Sequence, residues 1–263
     1  MARHSAAYLF VPGNRPERFS KAYQAAPGMV IIDLEDAVPP DQKDAAREAV
    51  IGWLNTESKV IVRINAEGTP WFEADQRLTS STGVRAIMLP KAESASTVAR
   101  IGLAAGAVIP IIETGKGIAN VREIARQQGV ERLAFGSIDL KVDLGISGDD
   151  EELNFFRSEL VLASKLADIQ APIDGVTTSI DDVAIVRRET ERAKRFGFGA
   201  KLCIHPKQVD AVNDTFAPRE AEVEWARRVM QAVAHSEGAA VSVDGKMVDK
   251  PVVTLATRIL NAV

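Results

Sequence analysis

The sequence predicts an α/β fold closed into a barrel of eight βα units, and three observations carry that expectation. Its length of 263 residues is close to the ~250 typical of one such barrel. Short runs rich in Val, Ile and Leu alternate with longer amphipathic segments, the pattern of parallel strands buried on both faces and joined by crossover helices. There are eight such runs, at residues 7–11, 30–34, 59–64, 86–89, 108–112, 132–135, 173–176 and 200–204. A doubly wound open sheet is the structural rival, but no GxGxxG follows the first run, so a dinucleotide-binding version has no support.

The intervening helices have recognisable starts. Pro40 and Asp41 precede KDAAREAVIGWL, Ser94 precedes ASTVARIGLA, and Ser179, with Asp182 three residues on, precedes DVAIVRRETERAKRF. Past Ile204 come a helical pattern from Pro218 to His235, a Gly-bounded hairpin-like stretch VSVDGKMVDKPVV and a short terminal helix through Leu260. This appendage is too small for an independent core. Residues 1–206 are therefore read as a TIM (β/α)8 barrel, and 207–263 as a helical and hairpin extension packing on the barrel or on a neighbouring subunit.

Composition excludes several function classes. A net charge of −4, with basic residues scattered among acidic ones, leaves no excess cation to neutralise a phosphate backbone, so no nucleic-acid partner is expected. The single Cys203 cannot form an internal disulfide and, in an apolar run, reads as a packed small hydrophobe. MARHSAAYLFVPG meets Pro12 and Gly13 before a signal-like apolar stretch develops, and no run approaches the ~20 apolar residues of a spanning helix. The expectation is a cytoplasmic protein with no membrane partner. His4, His205 and His235 have no metal-ligand spacing, which argues against zinc.

In a βα barrel the chemistry sits on loops after the strands, so charged residues ending apolar runs carry the functional signal. The second run ends in Asp33-Leu34-Glu35-Asp36, the third holds Arg63 ahead of Asn65, the fourth reaches Lys91, the fifth Glu113-Thr114, and the sixth leads to Gly136 and Asp139. Glu113 and Asp139, from adjacent strands and without a nearby His or Cys, are hard oxygen ligands suited to Mg2+ that keeps several waters. Taken singly, either acid is equally a helix N-cap or a surface carboxylate. Arg63 in a buried strand needs an anion, either a structural Asp from the neighbouring strand or a substrate carboxylate, with Glu35 and Asp36 as candidates for the structural role. Lys91 reads as a loop or ion-pair residue, not a Schiff-base nucleophile.

Nine stretches fall in one order: LFVPGNRPERFSKA (9–22), DLEDAV (33–38), VRIN (62–65), LPK (89–91), PIIET (110–114), FGSIDLKVDLG (135–145), IDGV (173–176), CIHPKQV (203–209) and DGKMVDKPVV (244–253). In these the chain resembles the citrate lyase beta subunit and malyl-CoA lyase family, within the HpcH/HpaI aldolase/citrate lyase superfamily, over nearly its whole length.

That resemblance implies a carbon-carbon lyase acting on a 3-hydroxy-acid CoA thioester, with Mg2+ held by Glu113 and Asp139. It places Arg63 on the carboxylate of the 2-oxo acid, helped by backbone amides around Gly136 and Ser137. It makes Asp249 an acid or base delivered across a subunit boundary, and counts Glu35 and Asp36 with Arg63 and Asp249 in the catalytic group. Arg18 and Lys21 are assigned to the phosphates of CoA, and the assembly to a homotrimer or hexamer. Lys141 departs from the small residue common in relatives, two positions from Asp139, where a cation bears on substrate choice. The alternatives are a citryl-acyl-carrier-protein lyase subunit of a citrate lyase complex and a catalytically silent binding paralogue. Retention of the Asp249 segment tilts the reading towards a free-standing CoA-thioester lyase.

Overall fold

The computed structural model describes residues 5–55, 58–148, 150–235 and 241–262; His4 lies outside them. The apolar runs become eight parallel strands, β1 (Ala7–Pro12), β2 (Val30–Asp33), β3 (Val60–Arg63), β4 (Val84–Leu89), β5 (Val108–Ile112), β6 (Arg132–Phe135), β7 (Gln170–Asp174) and β8 (Ala200–Cys203). They form one closed barrel in sequence order. Closure is made by β1 against β8, with Ala7 opposite Lys201 and Leu9 opposite Cys203, which leaves no sheet edge exposed. All residues of β2, β5, β6 and β8 are buried, as expected for strands covered on both faces.

The connections carry α1 (Phe19–Ala25), α2 (Lys43–Trp53), α3 (Phe72–Asp75), α4 (Ala95–Ala105) and, after β5, α5 (Gly115–Ala119) and α6 (Val121–Ala125). After β6 come α7 (Ser137–Leu144) and α8 (Asn154–Leu166), after β7 α9 (Val183–Phe196), and after β8 α10 (Val209–Phe216). Ser94 caps α4 by accepting from the Thr97 amide, as its sequence position predicts. At α9 the cap is Asp182, not Ser179, because the Asp182 carboxylate reaches the Ala184 and Ile185 amides. Strand β7 begins three residues before the expected run. Its first two residues are exposed and carry no apolar signal, and its pairing is set by Arg132, which stands opposite Gln170 and whose Nε donates to the Ala171 carbonyl at 2.8 Å.

The chain divides into two compact units, Ser5–Val212 and Asn213–Val263. In the second, α11 (Glu220–Ala234) is followed by the hairpin β9 (Val241–Val243) and β10 (Lys246–Val248), then by α12 (Lys250–Asn261). Ala226, Val229 and Ala256 form its core, with Trp225, Val243, Val252 and Ile259 packed around them. The hairpin stops at Val248 because Pro251, which cannot donate to a ladder, sits in the first turn of α12 where a missing N–H costs nothing. No described helix is long and apolar enough to cross a membrane.

One buried ion pair ties the helix layer to the barrel rim. Arg47 of α2 donates to Asp75 at 2.6 Å, and Asp75, fully buried, also accepts from the Asn65 backbone (2.9 Å) and side chain (2.6 Å) just beyond β3. Removing one partner of such a pair strands the other charge in the interior. Asp75→Ala should therefore lower unfolding free energy by about 3–5 kcal/mol in urea titration. A loss below about 1 kcal/mol would mean the pair contributes little.

Candidate functional site

Asp33 and Arg63 end β2 and β3 and stand opposite each other in the parallel ladder. The pairing is bidentate, with Arg63 Nε 2.7 Å from Asp33 Oδ1 and Nη2 2.7 Å from Oδ2. The same two oxygens accept from the Glu35 amide (2.9 Å) and the Ala37 amide (3.0 Å), so Asp33 shapes the loop that carries Glu35 and Asp36. From behind, the buried Lys43 donates to the carbonyls of Leu34 (2.9 Å) and Glu35 (2.8 Å). Of the two anions open to Arg63 from sequence, the structural Asp of the neighbouring strand is the bidentate partner. Glu35 and Asp36 are secondary, at 3.2 and 3.6 Å from Nη1.

Burial works against the charge of Arg63, but Asp33 first, then Glu35 and Asp36, outweigh it and raise its pKa. Its guanidinium also lies over the Phe10 ring, 4.8 Å from the centroid. Glu35 is pushed the other way for a carboxyl, up to about 8. Burial is the main cause, Arg63 opposes it, and the charges of Asp36, Glu113 and Asp33 add to it. Its Oε2 is buried without a hydrogen bond.

Glu113, directly after β5, is buried, and its Oε1 accepts from the Lys91 amide at 2.7 Å. Lys91 holds φ at 45°, the left-handed region, an uncommon conformation for a side-chain-bearing residue that aims its N–H at the carboxylate. Burial pushes the Glu113 pKa up to about 7; the Lys91 amide opposes this and the nearby Asp139 adds to it. Asp139 comes from the first turn of α7. Gly136, between β6 and α7, has no room for a side chain: a Cβ there would lie 2.3 Å from Glu113 Oε2. Asp143, one turn after Asp139, accepts from the Gly115 amide at 2.7 Å and ties α7 to the start of α5.

The fold thus brings Arg63, Glu35, Asp36 and Glu113 within electrostatic range of one another at one end of the barrel, with Asp139 in range of Glu113. Arg18 and Lys21 are exposed on the connection after β1, Arg18 with Glu17 3.8 Å away. The Gly136 N–H donates to the Ile112 carbonyl at 3.1 Å and so is engaged by the backbone. The Ser137 amide, at the first position of α7, has no intrahelical acceptor. Asp249 belongs to the C-terminal unit, is exposed and caps α12 through the Val252 amide at 3.2 Å. Cys203 is buried and its thiol pKa is pushed up to about 12, fitting a packed hydrophobe. Sequence reasoning missed Asp33 as the Arg63 anchor and Lys43 as the loop anchor. Register was the signal for the first, since both residues end adjacent runs. Among the described residues, no group of three or more His, Cys, Asp or Glu gathers as a metal cage.

Compared with known proteins, residues 6–206 match the family model described as HpcH/HpaI aldolase/citrate lyase. The citrate lyase subunit beta-like protein of Mycobacterium tuberculosis (strain ATCC 25618 / H37Rv) is 38% identical over 261 residues, covering 97% of this chain and 94% of that protein. A (3S)-malyl-CoA thioesterase of Cereibacter sphaeroides (strain ATCC 17029 / ATH 2.4.9) is 32% identical over 256 residues, covering 92% and 88%. Among solved structures, CitE of Mycobacterium tuberculosis in complex with magnesium, acetoacetate and coenzyme A superposes with a TM-score of 0.88. The two are 37% identical, with 99% of this chain and 98% of that one covered.

Glu35 has a consequence for stability in the metal-free protein. Its folded pKa of about 8 lies above the ordinary 4.5, so the folded state holds a proton that the unfolded chain releases. Stability is fully present below the ordinary value and is lost as pH rises towards 8. Glu35→Gln should flatten the fall in urea-unfolding free energy between pH 5 and 8, by up to about 1.4 kcal/mol per pH unit. An unchanged slope in EDTA would show that Glu35 is not the group titrating.

Proposed function

The chain belongs to the HpcH/HpaI aldolase/citrate lyase family, and from that premise we propose that it is a Mg2+-dependent carbon-carbon lyase. The reaction cleaves or forms a 3-hydroxy-acid CoA thioester at the bond joining a 2-oxo acid to an acyl-CoA. The observation that carries this reading is Glu113 within electrostatic range of both Asp139 and Arg63. Support comes from the similar CitE protein, whose complex holds magnesium, acetoacetate and coenzyme A.

The residues fit the cation. Glu113 is buried and Asp139 beside it half-buried, and in the absence of metal burial first, with repulsion from Asp139, holds Glu113 up at about 7. Oxygen donors without His or Cys, too few to form a full cage, match an ion that keeps its waters. Glu113 and Asp139 would hold Mg2+, which when bound supplies Lewis acidity at the keto or hydroxyl oxygen of the substrate.

Arg63 orients the carboxylate of the 2-oxo acid. Asp33 engages its Nε and Nη2, which directs Nη1 at the ligand, and Glu35, protonated at neutral pH, does not compete as an anion for that edge. The neutral Glu35 and the Asp36 carboxylate set the charge around the bound acid, while the Ser137 amide adds a donor. Asp249 passes a proton to or from the carbon of the acyl group, delivered from a neighbouring subunit in a trimer or hexamer. Arg18 and Lys21 take the CoA phosphates.

A second reading, hydrolysis of the thioester, is favoured by the likeness to the (3S)-malyl-CoA thioesterase. Incubating the purified protein and Mg2+ with malyl-, citramalyl- and citryl-CoA separates the two, with free 2-oxo acid and free CoA thiol followed in parallel. The lyase releases oxo acid with the thioester intact; thiol release without oxo acid overturns it. No turnover of any CoA ester would favour the carrier-protein subunit or a silent paralogue, which magnesium calorimetry then distinguishes.

Glu113→Gln and Asp139→Asn should each reduce turnover by at least about 100-fold and weaken magnesium binding in calorimetry, because the ion contributes several kcal/mol to the transition state. Turnover at the wild-type level would remove them from the site. Asp249→Asn retains an oxygen to cap α12 but cannot transfer the proton. Its kcat should fall by about 10²–10⁴-fold with little change in oxo-acid binding, and a change in binding alone would contradict the proton-transfer role.

A further inference from the structure

The exits of β5, β6 and β7 meet with no clearance between them. On one side Gly136 leaves no room for a Cβ against Glu113. On the other, Gly175, directly after β7, leaves none against the start of α7: a Cβ there would overlap Ser137 Oγ and lie 3.2 Å from Ser137 Cβ and 3.1 Å from the Phe135 carbonyl oxygen. Residues 136 and 137 are therefore seated between Glu113 and Gly175. A close-packed interior transmits displacement instead of absorbing it, so the place of Gly175 bears on how near the first turn of α7, which carries Asp139, comes to Glu113.

Lys201 of β8 is what holds Gly175. It is 2% exposed, and its ammonium donates to the Gly175 carbonyl at 2.7 Å and to Asp174 Oδ2 at 2.9 Å. Asp174, paired with Lys201 in the ladder, has a second cation beside it. Arg157 Nε of α8 lies 3.7 Å from Asp174 Oδ1, beyond hydrogen-bond distance, and both atoms are buried without a hydrogen bond. Barrel interiors are ordinarily filled by Val, Ile and Leu, and a buried ion pair gains little over such packing because desolvation offsets its attraction. Countercharge for Asp174 is available from Arg157 alone. What Lys201 adds is the donor to the Gly175 carbonyl.

We propose that Lys201 is a positioning residue for the barrel mouth, bracing the β7 exit through the Gly175 carbonyl so that Gly175 seats Ser137, and with it the Asp139 turn of α7, against Glu113. Asp174 keeps the ammonium aimed at that carbonyl. Lys201 acts through Gly175 and Ser137 and touches no reacting group. The inference rests on the magnesium reading of Glu113 and Asp139, and extends its support from β5 and β6 to β8.

Calorimetric titration of the full-length protein with MgCl2 alone tests the brace. Lys201→Met keeps the length of the side chain and removes the donor, whereas Gly175→Ala keeps every charge and presses on Ser137 directly. Each should weaken Mg2+ binding at least about tenfold, the lower end of what losing the support of a metal ligand costs. Ser137→Gly added to Gly175→Ala makes room for the new methyl and should recover most of that loss, a coupling that a merely stabilising role would not produce. Circular dichroism melts establish that each variant folds; should Lys201→Met not fold, Gly175→Ala and its double variant decide. Wild-type affinity in either folded single variant, or no recovery in the double variant, overturns the brace and leaves the magnesium site standing. Absence of Mg2+ binding by the wild-type protein overturns the magnesium reading itself, and the brace with it.

Discussion

The barrel mouth depends on the ion pair between Asp33 and Arg63. A guanidinium at the end of a buried strand is sustainable only beside a fixed anion, and closing β2 against β3 places that anion directly opposite. Because Asp33 meets Arg63 with both oxygens and takes the Glu35 and Ala37 amides with the same two, one carboxylate sets the direction of the cation and the path of the acidic loop. Lys43 restrains that loop from the opposite side. The direction of the remaining Arg63 nitrogen, Nη1, is thus a by-product of how its other edge is held.

Around this pair the mouth is rich in acid. Glu35, Asp36 and Glu113 share one neighbourhood with the bidentate-held Arg63, and Asp139 lies beside Glu113. Such a cluster relieves its repulsion either by retaining protons or by admitting a divalent ion. Glu35 and Glu113 are pushed to about 8 and about 7; a divalent ion held by Glu113 would displace its proton, so ion binding and proton release would be linked. Gly136 and the left-handed Lys91 serve the same carboxylate, one by leaving it room and the other by aiming a donor at it.

What was legible in the sequence follows from which interactions are local. Val- and Ile-rich runs announce strands buried on both faces, and the acids and Arg63 at their ends announce the mouth, because period and position survive in one dimension. β7 was read late because Gln170 and Ala171 join the sheet through Arg132, a distant residue, and not through their own hydrophobicity. The role of Asp33 was hidden behind Glu35 and Asp36, its equally acidic neighbours, until register singled it out. The α9 cap is Asp182 and not Ser179, three residues earlier, because the helix begins at Val183 and only Asp182 stands at its N-cap position. Asp249 caps α12, and that capping is the only duty written in its local surroundings; the proton-transfer role proposed for it is not.

The two sides of α7 show how one short helix separates two kinds of electrostatics. Asp139 and Asp143, one turn apart, turn towards Glu113 and Gly115 on the β5 side, while Lys141, with Ser137 and Ile138, turns towards Asp174, Arg157 and Lys201. Negative charge gathers on the first side and positive charge on the second, with the helix backbone between. That division keeps Lys141 off the face of α7 that carries Asp139. Lys141 therefore sits where it leaves Asp139 and Glu113 to each other.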